Sequence, residues 1–131
     1  MKLPEIVILD EKEKILHEKA KPVTEFPLAK EDQKKIDDMI KYLTMSQIDE
    51  YAEKYDLRPG MGLAYPQIGV AKRIFVIVDE VEKGKFENYV IINPKIVSQS
   101  EELIYVGEGE GCLSVNREVE GIVPRAARVT V

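Results

Sequence analysis

Apolar and polar positions along this chain follow two different periods, and the change falls near its middle. In the first half, Ile36, Met39, Ile40 and Leu43 recur at i, i+3, i+4 and i+7, the spacing of one helix face. A helix over residues 29–45 is predicted, entered after Pro27. Asp10 is placed to cap a shorter helix running to about residue 20, which Lys21-Pro22 would end. A third, polar helix is expected over residues 47–54, before Arg58-Pro59-Gly60. From there the pattern is that of strands. Ile74-Phe75-Val76-Ile77-Val78 is a continuous apolar run, suited to a strand covered on both faces. A turn at Lys83-Gly84-Lys85 leads to a second run over residues 89–92, broken by Asn93-Pro94. Further strands are expected over residues 96–98, 103–106, 119–123 and 127–131. The turns between them are short, which favours antiparallel pairing. Helices followed by a run of strands define an α+β class.

Neither an internal repeat nor a low-complexity linker interrupts the 131 residues, so they fit one domain with one core. Arg128-Val129-Thr130-Val131 stops in the middle of a strand pattern, whereas chain ends are usually polar. Residues 1–131 are therefore expected to form a single, truncated domain. The net charge of −5 argues against a general nucleic-acid binder, which needs a concentrated basic surface. Lysines alternate with acids, as in Glu11-Lys12-Glu13-Lys14, and read as a solvated face. The first apolar run, residues 6–9, ends at Asp10 and is too short for a secretory signal or a membrane span. Cys112 is the only cysteine, so no internal disulfide can form. Together these features point to the cytoplasm as the expected location.

Two segments carry candidate chemistry. Gly60-Met61-Gly62-Leu63-Ala64-Tyr65-Pro66-Gln67 sets two glycines around one apolar residue, which allows close backbone approach to a ligand or another chain. No Lys-Ser/Thr pair follows to make it a phosphate loop. Alone it reads as a plain turn before a strand. Gly107-Glu108-Gly109-Glu110-Gly111-Cys112-Leu113-Ser114 surrounds the lone cysteine with glycines and acids. A cysteine nucleophile would need a base within reach. The one candidate, His17, lies among charged residues and reads as a surface side chain.

Together the two segments say more. Residues 60–67 resemble the first signature of peptide deformylases, glycine-any-glycine-leucine-alanine-alanine-proline-glutamine. Residues 110–114 match the second, glutamate-glycine-cysteine-leucine-serine, without a change. Residues 41–58 look like the extra segment of the longer, Gram-positive-type deformylases. The resemblance covers nearly the whole chain and implies a peptide-deformylase-like α+β fold. It also implies removal of the formyl group from N-terminal formyl-methionine of nascent polypeptides, at the ribosome, with no specific nucleic acid and no membrane as partner. The family's divalent metal, Fe²⁺ in the cell and Zn²⁺, Ni²⁺ or Co²⁺ in preparations, is held by one cysteine and two histidines, leaving one position for water. On this resemblance Cys112 would be the metal thiolate. The Gln67 amide and the backbone N–H of Leu113 would donate to the formyl oxygen as it gains charge. Met61, Gly62 and Gly111 would contact substrate, Gly62 by strand-like backbone pairing and Met61 beside the methionine side chain. Glu110 and Arg125 would pair to support the cysteine loop. Tyr65 departs from the signature, standing where alanine is usual, and a buried ring there must find space and a partner for its hydroxyl.

The third signature, a helix with histidine-glutamate-any-any-histidine, is absent. His17-Glu18 begins like it, but Lys21 stands four residues after His17. As it stands the chain lacks two of three metal ligands and the acid/base glutamate of that signature, and it is expected to be inactive without them. Two other readings remain. The chain is then a non-catalytic paralogue that binds N-terminal peptides, or a cysteine-dependent enzyme or redox sensor. Flanking Glu108 and Glu110 disfavour a reactive thiolate and so weigh against the last.

Overall fold

A computed structural model describes all residues 1–131. The amphipathic stripe of the first half forms helix α1 (Lys30–Ser46), which buries Asp32, Ile36, Met39, Leu43, Met45 and Ser46. Its outer face carries i,i+4 pairs, Lys35 to Glu31 at 2.6 Å and Lys34 to Asp38 at 2.7 Å. Glu31 and Asp32 occupy the first turn, where acids suit the helix dipole. A short helix α2 (Asp49–Tyr55) follows and ends at Asp56, whose left-handed φ of 53° turns the chain.

Three strands come next: β1 (Gly62–Ala64), β2 (Ile74–Glu82) and β3 (Lys85–Ile92). They form one antiparallel sheet in the order β1-β2-β3, with Leu63 opposite Val76 and Val76 opposite Val90. Gly84, at φ +79°, makes the hairpin turn between β2 and β3. Beyond the sheet lie two small ribbons. Strand β4 (Ser98–Gln99) pairs with β7 (Val129–Thr130), and β5 (Leu103–Ile104) pairs with β6 (Arg125–Ala126), both antiparallel. No α-helix follows α2, and no helix is long and apolar enough to cross a membrane. The α+β class read from the sequence is the observed one.

The core is a single layer between α1 and the inner face of the sheet. Ile74, Val76 and Val78 pack there with Ile36, Met39, Leu43, Leu63, Tyr65 and Val23. Residues after β3 add only Ser114 to the 13 buried residues, so that last part of the chain is ordered more by hydrogen bonds and ion pairs than by burial.

Several expectations need correction. The apolar run of β2 is covered on one face only: Ile74, Val76 and Val78 are buried, while Phe75 and Ile77 are half-exposed, because α1 packs on one side. The helix expected over residues 10–20 shrinks to a 3-10 turn, Lys14–His17. Its flanking amides are used elsewhere: Glu11 N–H donates to the Ser114 carbonyl and Lys21 N–H to that of Ala71. The strand expected over residues 119–123 does not form, since β5 pairs with Arg125–Ala126 instead. His17 is exposed, its ring nitrogen hydrogen-bonded with the Glu11 carbonyl.

Tyr65 is fully buried beneath α1. Its hydroxyl donates to Asp32 Oδ1 at 2.9 Å, and Lys72 Nζ reaches Asp32 Oδ2 at 3.2 Å. Burial first, then the bond to Asp32, pushes the Tyr65 phenol well above its ordinary value near 10. Tyr65→Phe is expected to cost about 1–3 kcal/mol at neutral pH by leaving the buried carboxylate short of a donor. Because the folded state holds the proton and the unfolded chain releases it near pH 10, wild-type stability falls above that pH. The gap between the two proteins should therefore narrow there, as urea denaturation at neutral pH and above pH 10 would measure.

Candidate active site

The C-terminal end of α1 fixes the glycine segment. Gly60 N–H donates to Ser46 Oγ at 3.1 Å, and the Ser46 hydroxyl donates to the Leu43 carbonyl at 2.7 Å. Gln47 Nε2 donates to the Gly60 and Val78 carbonyls, both at 2.9 Å. Sequence reading missed both residues. At Gly60 a Cβ would lie 2.8 Å from Leu113 Cδ1, so the absent side chain lets the two motif segments touch. At Gly62 a Cβ would meet nothing closer than the Val76 carbonyl at 3.8 Å, so the packing of this chain does not require glycine there.

Strand β1 lies at the sheet edge. Val78 N–H donates to the Met61 carbonyl at 2.7 Å. Ladder bonds of antiparallel strands alternate along the chain, so the N–H and C=O of Gly62 turn to the open edge. Ala64 N–H, also turned outward, donates to Gln67 Oε1 at 2.9 Å.

That bond orients the Gln67 amide. Gln67 sits on a 3-10 turn, Tyr65–Ile68, begun by Pro66. With Oε1 occupied, its NH₂ group faces the second segment, 3.1 Å from Ser114 Oγ and 3.8 Å from Cys112 Sγ. The Gln67 carbonyl accepts from Leu9 N–H at 2.7 Å. Cys112 is exposed. Leu113 packs its side chain against the core, and its backbone N–H has no acceptor in the protein.

Glu110 takes both ends of the Arg125 guanidinium, with Nε to Oε2 at 2.7 Å. Arg125 lies on β6, so the pair ties the cysteine loop to the β5–β6 ribbon. The hydrogen bond from Arg125 holds the Glu110 carboxyl below the ordinary carboxylate range. Two clefts meet at Glu110, Gly111 and Cys112. One, of about 510 Å³, also takes in Met61, Gly62, Gln67 and Leu113; the other takes in Arg117, Glu118 and Arg125. All eight residues singled out in the sequence thus border this one region.

A metal site of three protein ligands does not fit the residues present. No group of three His, Cys, Asp or Glu side chains converges anywhere in the chain, and Cys112 has no imidazole partner. The region offers one thiol, a fixed amide, a free backbone N–H and an open strand edge.

The sequence profile of the family described as "Polypeptide deformylase" matches residues 5–131. A peptide deformylase of Halalkalibacterium halodurans is 50% identical over 124 residues, 95% of this chain and 68% of the relative. One of Oceanobacillus iheyensis is 50% identical over 109 residues, 83% of this chain and 60% of the relative. Among solved structures, a peptide deformylase of Thermotoga maritima superposes with a TM-score of 0.69 at 31% identity, covering 95% of this chain and 69% of that one. One from Legionella pneumophila gives 0.69 at 37% identity, covering 93% and 60%. The chain thus spans about two thirds of these relatives.

Because Gly60 makes room for Leu113, Gly60→Ala should overpack the contact and cost about 1–3 kcal/mol. In a Leu113→Ala background the same change should be nearly neutral, a coupling that a double-mutant cycle of denaturation free energies would measure.

Proposed function

The chain belongs to the polypeptide deformylase family, and on that footing we propose that it supplies the substrate-holding part of a metal-dependent deformylase acting on N-terminal formyl-methionine. The substrate backbone adds to the open edge of β1 through Gly62, as an extra strand. The methionine side chain lies beside Met61, a soft apolar neighbour for a thioether. The formyl oxygen, as it gains charge, receives hydrogen bonds from Gln67 Nε2 and the Leu113 N–H. Gly111 borders the substrate, and the Glu110–Arg125 pair supports the loop. Cys112 is proposed as one thiolate ligand of a divalent metal, Fe²⁺ in the cell. The remaining ligands are not among these residues. The substrates are formylated nascent peptides at the ribosome, in the cytoplasm.

The observation that carries this reading is the Gln67 amide: Ala64 fixes its oxygen, and its NH₂ faces the Cys112 thiol next to a backbone N–H without an acceptor. Donors held in place before reaction lose nothing to reorganisation when charge develops. Membership of the longer, Gram-positive-type class is part of the proposal. An alignment over 124 of the 131 residues runs through residues 41–58 and supports it.

The donor set favours a second reading for these 131 residues taken alone, namely peptide binding without hydrolysis. One experiment separates the two. The chain is continued by the C-terminal third of the H. halodurans relative, and formate release from a formyl-methionyl peptide is measured beside the unextended chain. Formate from the chimera only is expected, abolished by Cys112→Ala and slowed about 10²–10³-fold by Gln67→Ala. Peptide binding by both proteins with formate from neither would favour the second reading. Absence of binding by a folded chain would contradict both.

A further inference from the structure

We propose that Arg58 is a positioning residue that aims the Leu113 N–H, a role that rests on the function proposed above. Its guanidinium gathers four acceptors of the cysteine loop. Nη1 donates to the Val115 carbonyl at 3.0 Å, and Nη2 lies 3.2 Å from the Cys112 carbonyl, 3.0 Å from that of Leu113 and 2.9 Å from Asn116 Oδ1. Each acceptor is 54 to 58 residues away in sequence.

The consequence follows from peptide geometry. The Cys112–Leu113 peptide is trans, since the one cis bond in the chain is Phe26–Pro27. In a trans peptide the C=O and the following N–H point in opposite directions. Arg58 holds the Cys112 carbonyl, so the Leu113 N–H must point away from the guanidinium, where no protein acceptor meets it. Together with the Val115 N–H, which donates to the same carbonyl at 3.0 Å, this charged group keeps the donor both fixed and unused.

Burial does only part of this job: the Leu113 side chain packs on the core and Ser114 is buried, but residues 107–112, which lead into the peptide, are exposed. Arg58 itself is anchored close behind α2, whose end is closed by Asp56 and by the Leu57 N–H bond to Ala52 at 2.8 Å. Lysine could not replace it. An ammonium is a single point of charge, whereas these acceptors are spread over two nitrogens of a planar fork. Because Arg58 is exposed, water can take over its acceptors when it is removed, and the rest of the fold should persist.

The test compares Arg58→Ala and Arg58→Lys with the unaltered 131-residue chain by hydrogen exchange. Protection of the Val115 amide, which donates to the Cys112 carbonyl at 3.0 Å, should fall about tenfold in both variants, while Met39 and Val76 keep theirs. In the chimera described above, kcat should fall about tenfold with KM changed less than about twofold, because an aimed donor acts on the developing charge. Unchanged Val115 protection in Arg58→Ala, or wild-type behaviour of Arg58→Lys, would overturn the proposal. So would loss of protection throughout α1 and β2 in both variants, which would make Arg58 a general support of the fold. A parent chimera without activity would refute the proposed function instead, and exchange at Val115 would still judge Arg58.

Discussion

The side-chain amide of Gln67 serves two segments at once, and the geometry of the site depends on it. Its oxygen takes the outward N–H of Ala64 and its nitrogen faces Ser114 and Cys112. An amide has distinct donor and acceptor ends, so the bond to Ala64 decides which end meets the thiol. Gln67 can do this because its turn is rooted in the core through Tyr65, whose hydroxyl is held by the buried Asp32 of α1. The aromatic ring that departs from the family signature thus works from beneath the groove rather than within it.

The cysteine loop touches the core only through Leu113 and Ser114 and is otherwise held from three sides. The N-terminal segment brings Leu9 to the Gln67 carbonyl and Glu11 to the Ser114 carbonyl. It also supplies Asp10 to Asn116 at 3.3 Å and Glu11 to Arg117 at 3.0 Å. Arg125 holds Glu110 from the β5–β6 ribbon, and Arg58 holds the loop carbonyls from the end of α2. The arginines among these partners are solvent-exposed, where single ion pairs stabilise little. Their joint effect is on orientation, and the loop belongs to the less stable part of the molecule.

Much of this was legible in the sequence. The stripe of Ile36, Met39 and Leu43 gave α1 to within a residue, because a helix depends on local periodicity. Both motif segments could be identified from their residues, and they do meet in space. Local pattern misled where long-range pairing decides. Residues 10–20 give their flanking amides to partners across the chain, and residues 119–123 find no strand to pair with. Ser46, Gln47, Asp32 and Arg58 escaped notice for the same reason. Each has a partner 13 to 58 residues away, and no local spacing announces a contact of that range.

The fixed Gln67 amide is open to direct observation. In nuclear Overhauser spectra of the 131-residue chain, the Gln67 side-chain NH₂ hydrogens should show cross-peaks to the β-hydrogens of Cys112 and Ser114. The Ala64 amide hydrogen should exchange slowly. A Gln67 amide with only solvent-like shifts and no such cross-peaks, in a chain whose α1 and β2 are formed, would contradict the arrangement on which the site depends.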